Sequence, residues 1–189
     1  MLRPTYPIRT RRLVLRPFTR DDLDAVHAYH SDPAVVRYLY WEVAPDRAAS
    51  SRALDGKLGH TTLTEAGQSL ILAVDHEGEL VGEVVLKWLD RQHGQGEIGF
   101  VLNPAYQGNG YATEAAGALL ELAFDGLGLH RVIGRCDARN TGSAKVMERL
   151  GMRREAHFVQ NEKFKGEWGD EFVYAVLASE YQRSADGLG

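Results

Sequence analysis

The chain has 189 residues, 44% of them hydrophobic and 25% charged, with a formal net charge of −4. That length suits one domain with a single hydrophobic core, and the mild acidity gives no electrostatic reason to bind nucleic acid. The lone cysteine, Cys136, excludes a disulfide scaffold, and no apolar run approaches the ~18 residues that span a bilayer.

Residues 1–10 hold two prolines and two arginines and lack the apolar stretch of a secretory signal, so a cytoplasmic protein is expected. Leu13 and Leu15 alternate with polar neighbours as in a half-buried strand, which Pro17 ends. The basic residues beside it (Arg3, Arg9, Arg11, Arg12, Arg16) read as solvated decoration of that strand. Thr19 followed by Asp21 and Asp22 marks a helix start, and the helix runs to about His30. Ser31-Asp32-Pro33 begins a short helical turn, and 46–64 reads as an amphipathic helix. Aliphatic runs at 69–74 and 80–89 flank a polar, glycine-bearing turn and form an antiparallel hairpin, followed by a strand at 97–102. A helix is expected over 113–127 with Gly128 closing it, then a strand at 131–137 and a helix at 143–150. Strands at 155–164 and 171–177 complete a mixed α/β domain, a sheet with helices packed on it.

Between strand 97–102 and the following helix lies Gln107-Gly108-Asn109-Gly110-Tyr111-Ala112. A helix start presents backbone N–H groups without intrahelical partners and a partial positive charge, which together suit a diphosphate. Gly108, Gly110 and Ala112 leave room for its approach. The glycines alone are equally consistent with a plain strand-to-helix turn. The Walker pattern lacks its Gly-Lys-Ser/Thr, and the Rossmann pattern fails at Thr113, where a third glycine belongs.

This stretch resembles the pyrophosphate loop of the GCN5-related N-acetyltransferase (GNAT) superfamily. Further blocks are similar to its RimJ/RimL ribosomal-protein-alanine branch: Thr10-Arg11-Arg12-Leu13-Val14-Leu15-Arg16, the run from Ser31 to Tyr38, and Gly96-Glu97-Ile98-Gly99-Phe100. Asn140 with Ser143, then Leu150-Gly151-Met152, the run from Gly166 to Asp170, and Tyr174-Ala175 continue the likeness over roughly 10–180 of a single domain spanning 1–189. The resemblance implies a sheet that splays beside its central strand, flanked by about four helices, with acetyl-CoA in the cleft.

On that likeness Phe100, Val101 and Leu102 pair with the pantetheine arm. The amides of Gln107, Gly108, Asn109, Gly110, Tyr111, Ala112 and Thr113 hold the pyrophosphate, and Asn140 reaches a pantetheine amide. Asn140 could instead cap the helix that follows. Transfer to an amine needs a carboxylate to take a proton and a donor for the departing sulfur. Glu162 is the first candidate base, Glu97 a water-holding alternative, and Ser143 the donor to sulfur. Each is also an ordinary residue for its strand or helix. The resemblance favours a protein N-terminal α-amine as acceptor, with an aminoglycoside, a polyamine or an amino-acid-like metabolite as the alternative. A non-catalytic acyl-CoA-binding module is the reading from another class. No metal is implied. The fold admits a homodimer or a monomer. His27 and His30 read as surface residues, Cys136 as a small buried one, and Tyr38, Tyr40 and Trp41 as core or acceptor-pocket lining.

Overall fold

The computed structural model describes residues 1–181. Positions 182–189, which the expected domain span includes, lie outside the described residues. Eight strands form one sheet: β1 (Ile8–Arg9), β2 (Val14–Arg16), β3 (Ser69–His76), β4 (Glu79–Asp90), β5 (Gln95–Leu102), β6 (Arg131–Asp137), β7 (Arg153–Phe164) and β8 (Glu167–Leu177). Five α-helices accompany them: α1 (Leu23–His30), α2 (Pro33–Val36), α3 (Arg47–Asp55), α4 (Tyr111–Glu121) and α5 (Thr141–Arg149). The sheet order is β1-β2-β3-β4-β5-β6-β8-β7.

Strand periodicity decides which face each side chain covers. Leu70, Leu72 and Val74 of β3 join Val84, Leu86 and Ile98 in the main core, which includes Ala115, Ala116 and Leu119 of α4. The intervening Ala73 packs with Val26 and Tyr29 of α1 and Leu54 of α3 on the opposite face.

The feature that positions the site is the junction of β5 and β6. Every other strand pair is antiparallel, whereas β5 and β6 run parallel and pair only over Gln95–Arg131, Gly96–Val132 and Glu97–Ile133. Both strands continue, to Leu102 and Asp137, so they part beyond Glu97. On its other side β5 stays paired with β4 as far as Leu102 opposite Gly82. Gly82 is required there, because a Cβ would stand 2.2 Å from the Val101 carbonyl oxygen. The splay implied by the resemblance is present, and it leaves the β6 side of residues 98–102 without a strand partner.

Three expectations need correction. The helix placed at 46–64 ends at Asp55. Gly56 and Gly59 (φ 83°) break it, and Leu63 is drawn into the main core, where it exchanges backbone hydrogen bonds with Leu2. The short strand β1 has no counterpart among the expected strands, because two residues carry no periodicity. Helix α4 begins at Tyr111 instead of 113, and a π-helical turn, Leu122–Gly126, continues from its end. Gly128 (φ 70°) then turns the chain out, with the Leu129 N–H reaching back to the Ala123 carbonyl. Among the described residues no helix is long and apolar enough to cross a membrane.

Candidate active site

Two adjoining cavities open at the splay. The first, of about 430 Å³, lies between the start of α4, the unpaired part of β5 and one face of α5. Gly108 (φ 82°) and Gly110 (φ 81°) both adopt left-handed backbone, which is why the turn needs glycine at these two positions. The first intrahelical bond of α4 runs from the Glu114 N–H to the Gly110 carbonyl, 3.0 Å. The amides of Tyr111, Ala112 and Thr113 therefore have no partner inside the helix. The Thr113 hydroxyl also lines this cavity, buried and without a hydrogen-bond partner. Gln107 ties the loop to β5 through its Nε2 and the Leu102 carbonyl, 3.2 Å.

Behind the loop stands Arg12. Its Nε donates to Glu114 Oε2 (2.7 Å), its Nη1 to the Asn109 carbonyl (3.0 Å), and its guanidinium lies 4.8 Å from the Tyr111 ring centre. Glu114 Oε1 also accepts from the Thr10 hydroxyl (2.6 Å) and the Arg12 amide (2.7 Å). The arginine read as solvated decoration clamps the turn, a contact across about a hundred residues that composition could not reveal.

Helix α5 presents Gly142, Lys145, Val146 and Arg149 to the same cavity, a stripe at helical spacing. Asn140 caps this helix: its Oδ1 accepts from the Ser143 amide at 3.1 Å. The two cavities share Tyr38, Leu39, Phe100, Val101, Asn140 and Ser143. Ser143 therefore stands where they meet.

The second cavity, of about 300 Å³, lies against the opposite strand edges. The pairs Glu83–Val101, Val85–Gly99 and Lys87–Glu97 of β4 and β5 supply its floor, because alternate residues share a face. Segment 38–41 forms one wall, and β7 with β8 the other. Tyr40 Oη donates to Glu162 Oε1 at 2.5 Å and its ring meets Phe164 edge-on at 5.5 Å. Burial, then the neighbouring Glu162 carboxylate, pushes the Tyr40 hydroxyl pKa up. Lys165 Nζ donates to the Val36 carbonyl at 2.6 Å, so the two walls are joined at two points.

Four carboxylates here already have cations. Lys87 Nζ lies 3.2 Å from Glu97, Arg135 2.8 Å from Glu171, and Arg139 2.7 Å from Asp137. Beneath the floor, Lys57 Nζ donates to both oxygens of buried Glu83 at 2.6 Å, while Tyr29 Oη donates to Glu83 Oε2 at 2.7 Å. His30 stacks on Trp41 at 5.3 Å beside this pair. Burial first, then the Lys57 charge, pulls the His30 pKa down to about 4.

Every residue singled out from the sequence as catalytic (Glu162, Ser143, Glu97) lines the second cavity. Those expected to hold the donor line the first, with one exception. The exception is Asn109, whose side chain is turned back onto the Tyr106 and Gln107 carbonyls. Asn140 takes the capping role by its oxygen, which the sequence reading had set second. His30 is buried rather than on the surface, and half-buried Cys136 lines the second cavity, its thiol pKa pushed up to about 12 by burial. Arg135, Lys87, Glu83 and Glu171 were missed; polar residues alternating with apolar ones within strands were the available signal.

A family model described as "Acetyltransferase (GNAT) domain" matches residues 12–153. The chain belongs to that family. It is an acetyl-CoA-dependent N-acetyltransferase, as the resemblance implied. The uncharacterized N-acetyltransferase YnaD of Bacillus subtilis (strain 168) is 36% identical over 174 residues, covering 92% of this chain and 98% of the relative. A GNAT-family acetyltransferase of Bacillus anthracis has the same fold, with TM-score 0.81 and 36% identity over 92% of this chain and 99% of its own. Spermidine N(1)-acetyltransferase of Escherichia coli (strain K12) is 25% identical over 167 residues, 88% of this chain and 87% of that enzyme. The cavity between α4 and α5 fits acetyl-CoA: unpartnered amides and an orphaned buried hydroxyl await anionic oxygens, and the open edge of β5 awaits amide groups.

Proposed function

We propose that this N-acetyltransferase acetylates the primary amine of a small molecule, with Glu162 as base and Ser143 as donor to the departing sulfur. The observation that carries the reading is Glu162 itself. Among the described residues it lines the acceptor cavity without a cationic partner, and it faces the cavity that adjoins the donor site. An ammonium group supplies the missing positive charge. Acetyl-CoA supplies an acetyl group already activated as a thioester. Residues Phe100 to Leu102 and the amides from Gly108 to Thr113 orient it, while the Gln107 amide stays bonded to the Pro104 carbonyl. Asn140, its Oδ1 occupied by the Ser143 amide, has only its Nδ2 to offer the cofactor.

The proton traffic follows from the placement. The ammonium loses one proton to Glu162, which passes it to solvent. As the nitrogen–carbon bond forms and the carbon–sulfur bond breaks, a second amine proton is replaced by the acetyl group. Ser143 Oγ hands a proton to sulfur and recovers one from that second site, so CoA leaves as the thiol. Glu97, held by Lys87 at the fork of β5 and β6, suits a bound water more than a free cation.

A protein N-terminus, the acceptor favoured by the resemblance, brings a chain that needs an open way out of this cavity. The bonds from Tyr40 to Glu162 and from Lys165 to Val36 hold segment 36–41 against the β7–β8 hairpin and narrow it on that side. A small amine leaves them in place. Spermidine, in the name of the Escherichia coli relative, is such an amine. The lone, half-buried cysteine accords with a reducing cytoplasm.

The test follows thiol release from acetyl-CoA with a panel of small amines and a panel of N-terminal peptides. Small amines are expected to be the better substrates. Glu162→Gln should lower kcat by about 1,000-fold, within the range for a lost general base, while acetyl-CoA affinity by calorimetry stays within about twofold. Peptide turnover exceeding every small amine would reverse the acceptor assignment, and an unchanged kcat would remove Glu162 as base.

A further inference from the structure

We infer that the acceptor carries a single ammonium group on an apolar or aromatic body, and is not a polyamine. The inference rests on the small-amine reading above and deepens it. Six carboxylates line the acceptor cavity, enough at first sight for a polycation. Their partners say otherwise. Glu83 is held by Lys57, Glu97 by Lys87, Glu171 by Arg135 and Asp137 by Arg139, each within 3.2 Å. Asp170 has both oxygens engaged, Oδ1 by the Gln160 amide at 2.9 Å and Oδ2 by His157 Nε2 at 3.0 Å.

That leaves Glu162, whose one hydrogen-bond partner is the neutral hydroxyl of Tyr40. A second or third ammonium entering this cavity would meet four carboxylates already paired with cations and an Asp170 whose two oxygens already accept hydrogen bonds, beside the cations Lys87 and Arg135. Desolvating it without a counter-charge is unfavourable. Apart from Asn140 and Ser143 where the two cavities meet, the remaining lining is mostly apolar or aromatic, with Tyr38, Tyr40, Trp41, Val85, Phe100 and Phe164 foremost. Such a surface gains from burying a hydrocarbon or ring, and its aromatic faces also attract one cation. A volume of about 300 Å³ is at the small end for ligand pockets, which suits a compact amine.

The experiment compares kcat/KM for 2-phenylethylamine and spermidine at saturating acetyl-CoA, in the unaltered chain and in Lys87→Met. The aromatic monoamine is expected to win by at least about tenfold. Lys87→Met uncovers the Glu97 carboxylate and should shift the ratio toward spermidine by about fivefold or more, the scale of one partly exposed ion pair. Spermidine matching or exceeding 2-phenylethylamine overturns the inference alone, as does a ratio unmoved by Lys87→Met. Failure of both amines, with acetyl-CoA still bound by calorimetry, overturns this inference, and turnover of N-terminal peptides above every small amine overturns the small-amine reading with it.

Discussion

The donor cavity is made largely of backbone: two left-handed glycines, three helix-start amides and the unpaired edge of β5. The acceptor cavity is made of side chains converging from segment 38–41, β4, β5, β6, β7 and β8. A backbone site recognises what all members of a family share, and it tolerates change wherever the chain path is kept. A side-chain site is specified one residue at a time, so its selectivity can change without disturbing the fold. The donor cavity accordingly identifies the reaction class, and the acceptor cavity the substrate.

Substitutions can break this division or sharpen it. The largest effect is expected at the acceptor floor. Lys57→Met leaves Glu83 buried without its cation and should lower unfolding free energy by about 4 kcal/mol, read from denaturant midpoints. Replacing both residues by methionine should recover most of that loss. A stable single variant would mean that the floor is not held by charge pairing.

Next comes the donor turn. Gly110→Asp puts a side chain at φ 81° with its Cβ 3.4 Å from Arg12 Nη2. Acetyl-CoA affinity by calorimetry should fall by about 100-fold, as left-handed strain and a carboxylate drawing on Arg12 distort the turn. Unaltered affinity in a folded variant would show that the donor lies elsewhere. The smallest effect is expected at Arg12→Ala, which removes the clamp without touching the cavity. KM for acetyl-CoA should rise about fivefold with kcat nearly unchanged, as for the loss of one partly exposed charged hydrogen-bond set. A fall in kcat instead would place Arg12 in the chemistry.

The same division governs what could be read from the amino-acid order. Gln107 to Thr113 are contiguous, and helix-start chemistry acts over one turn, so the glycine turn opening α4 was legible in a single stretch. Strands β3 to β6 were legible for a similar reason, since period-two burial is local. Helix α3 was overextended because the pull of Leu2 on Leu63 acts between distant segments. Arg12 was misread because its partners, Asn109 and Glu114, are about a hundred residues away. Glu162 and Glu97 were singled out as residue types, and the structure sets both along the second cavity. What distinguishes them, a tyrosine hydroxyl for one and a lysine for the other, depends on which side chains the fold sets opposite. The choice between a cap and a ligand contact at Asn140 was open for the opposite reason. Both roles use the same short side chain, and its two ends allow both at once.

The three-pair junction between β5 and β6 has a mechanical consequence. The sheet is two blades, β1 to β5 and β6 to β8, joined edge to edge by pairing at Gln95, Gly96 and Glu97 alone. Acetyl-CoA lying along β5 would insert a missing rung into that gap, and the enzyme with its donor bound would then be a more continuous sheet than the free chain.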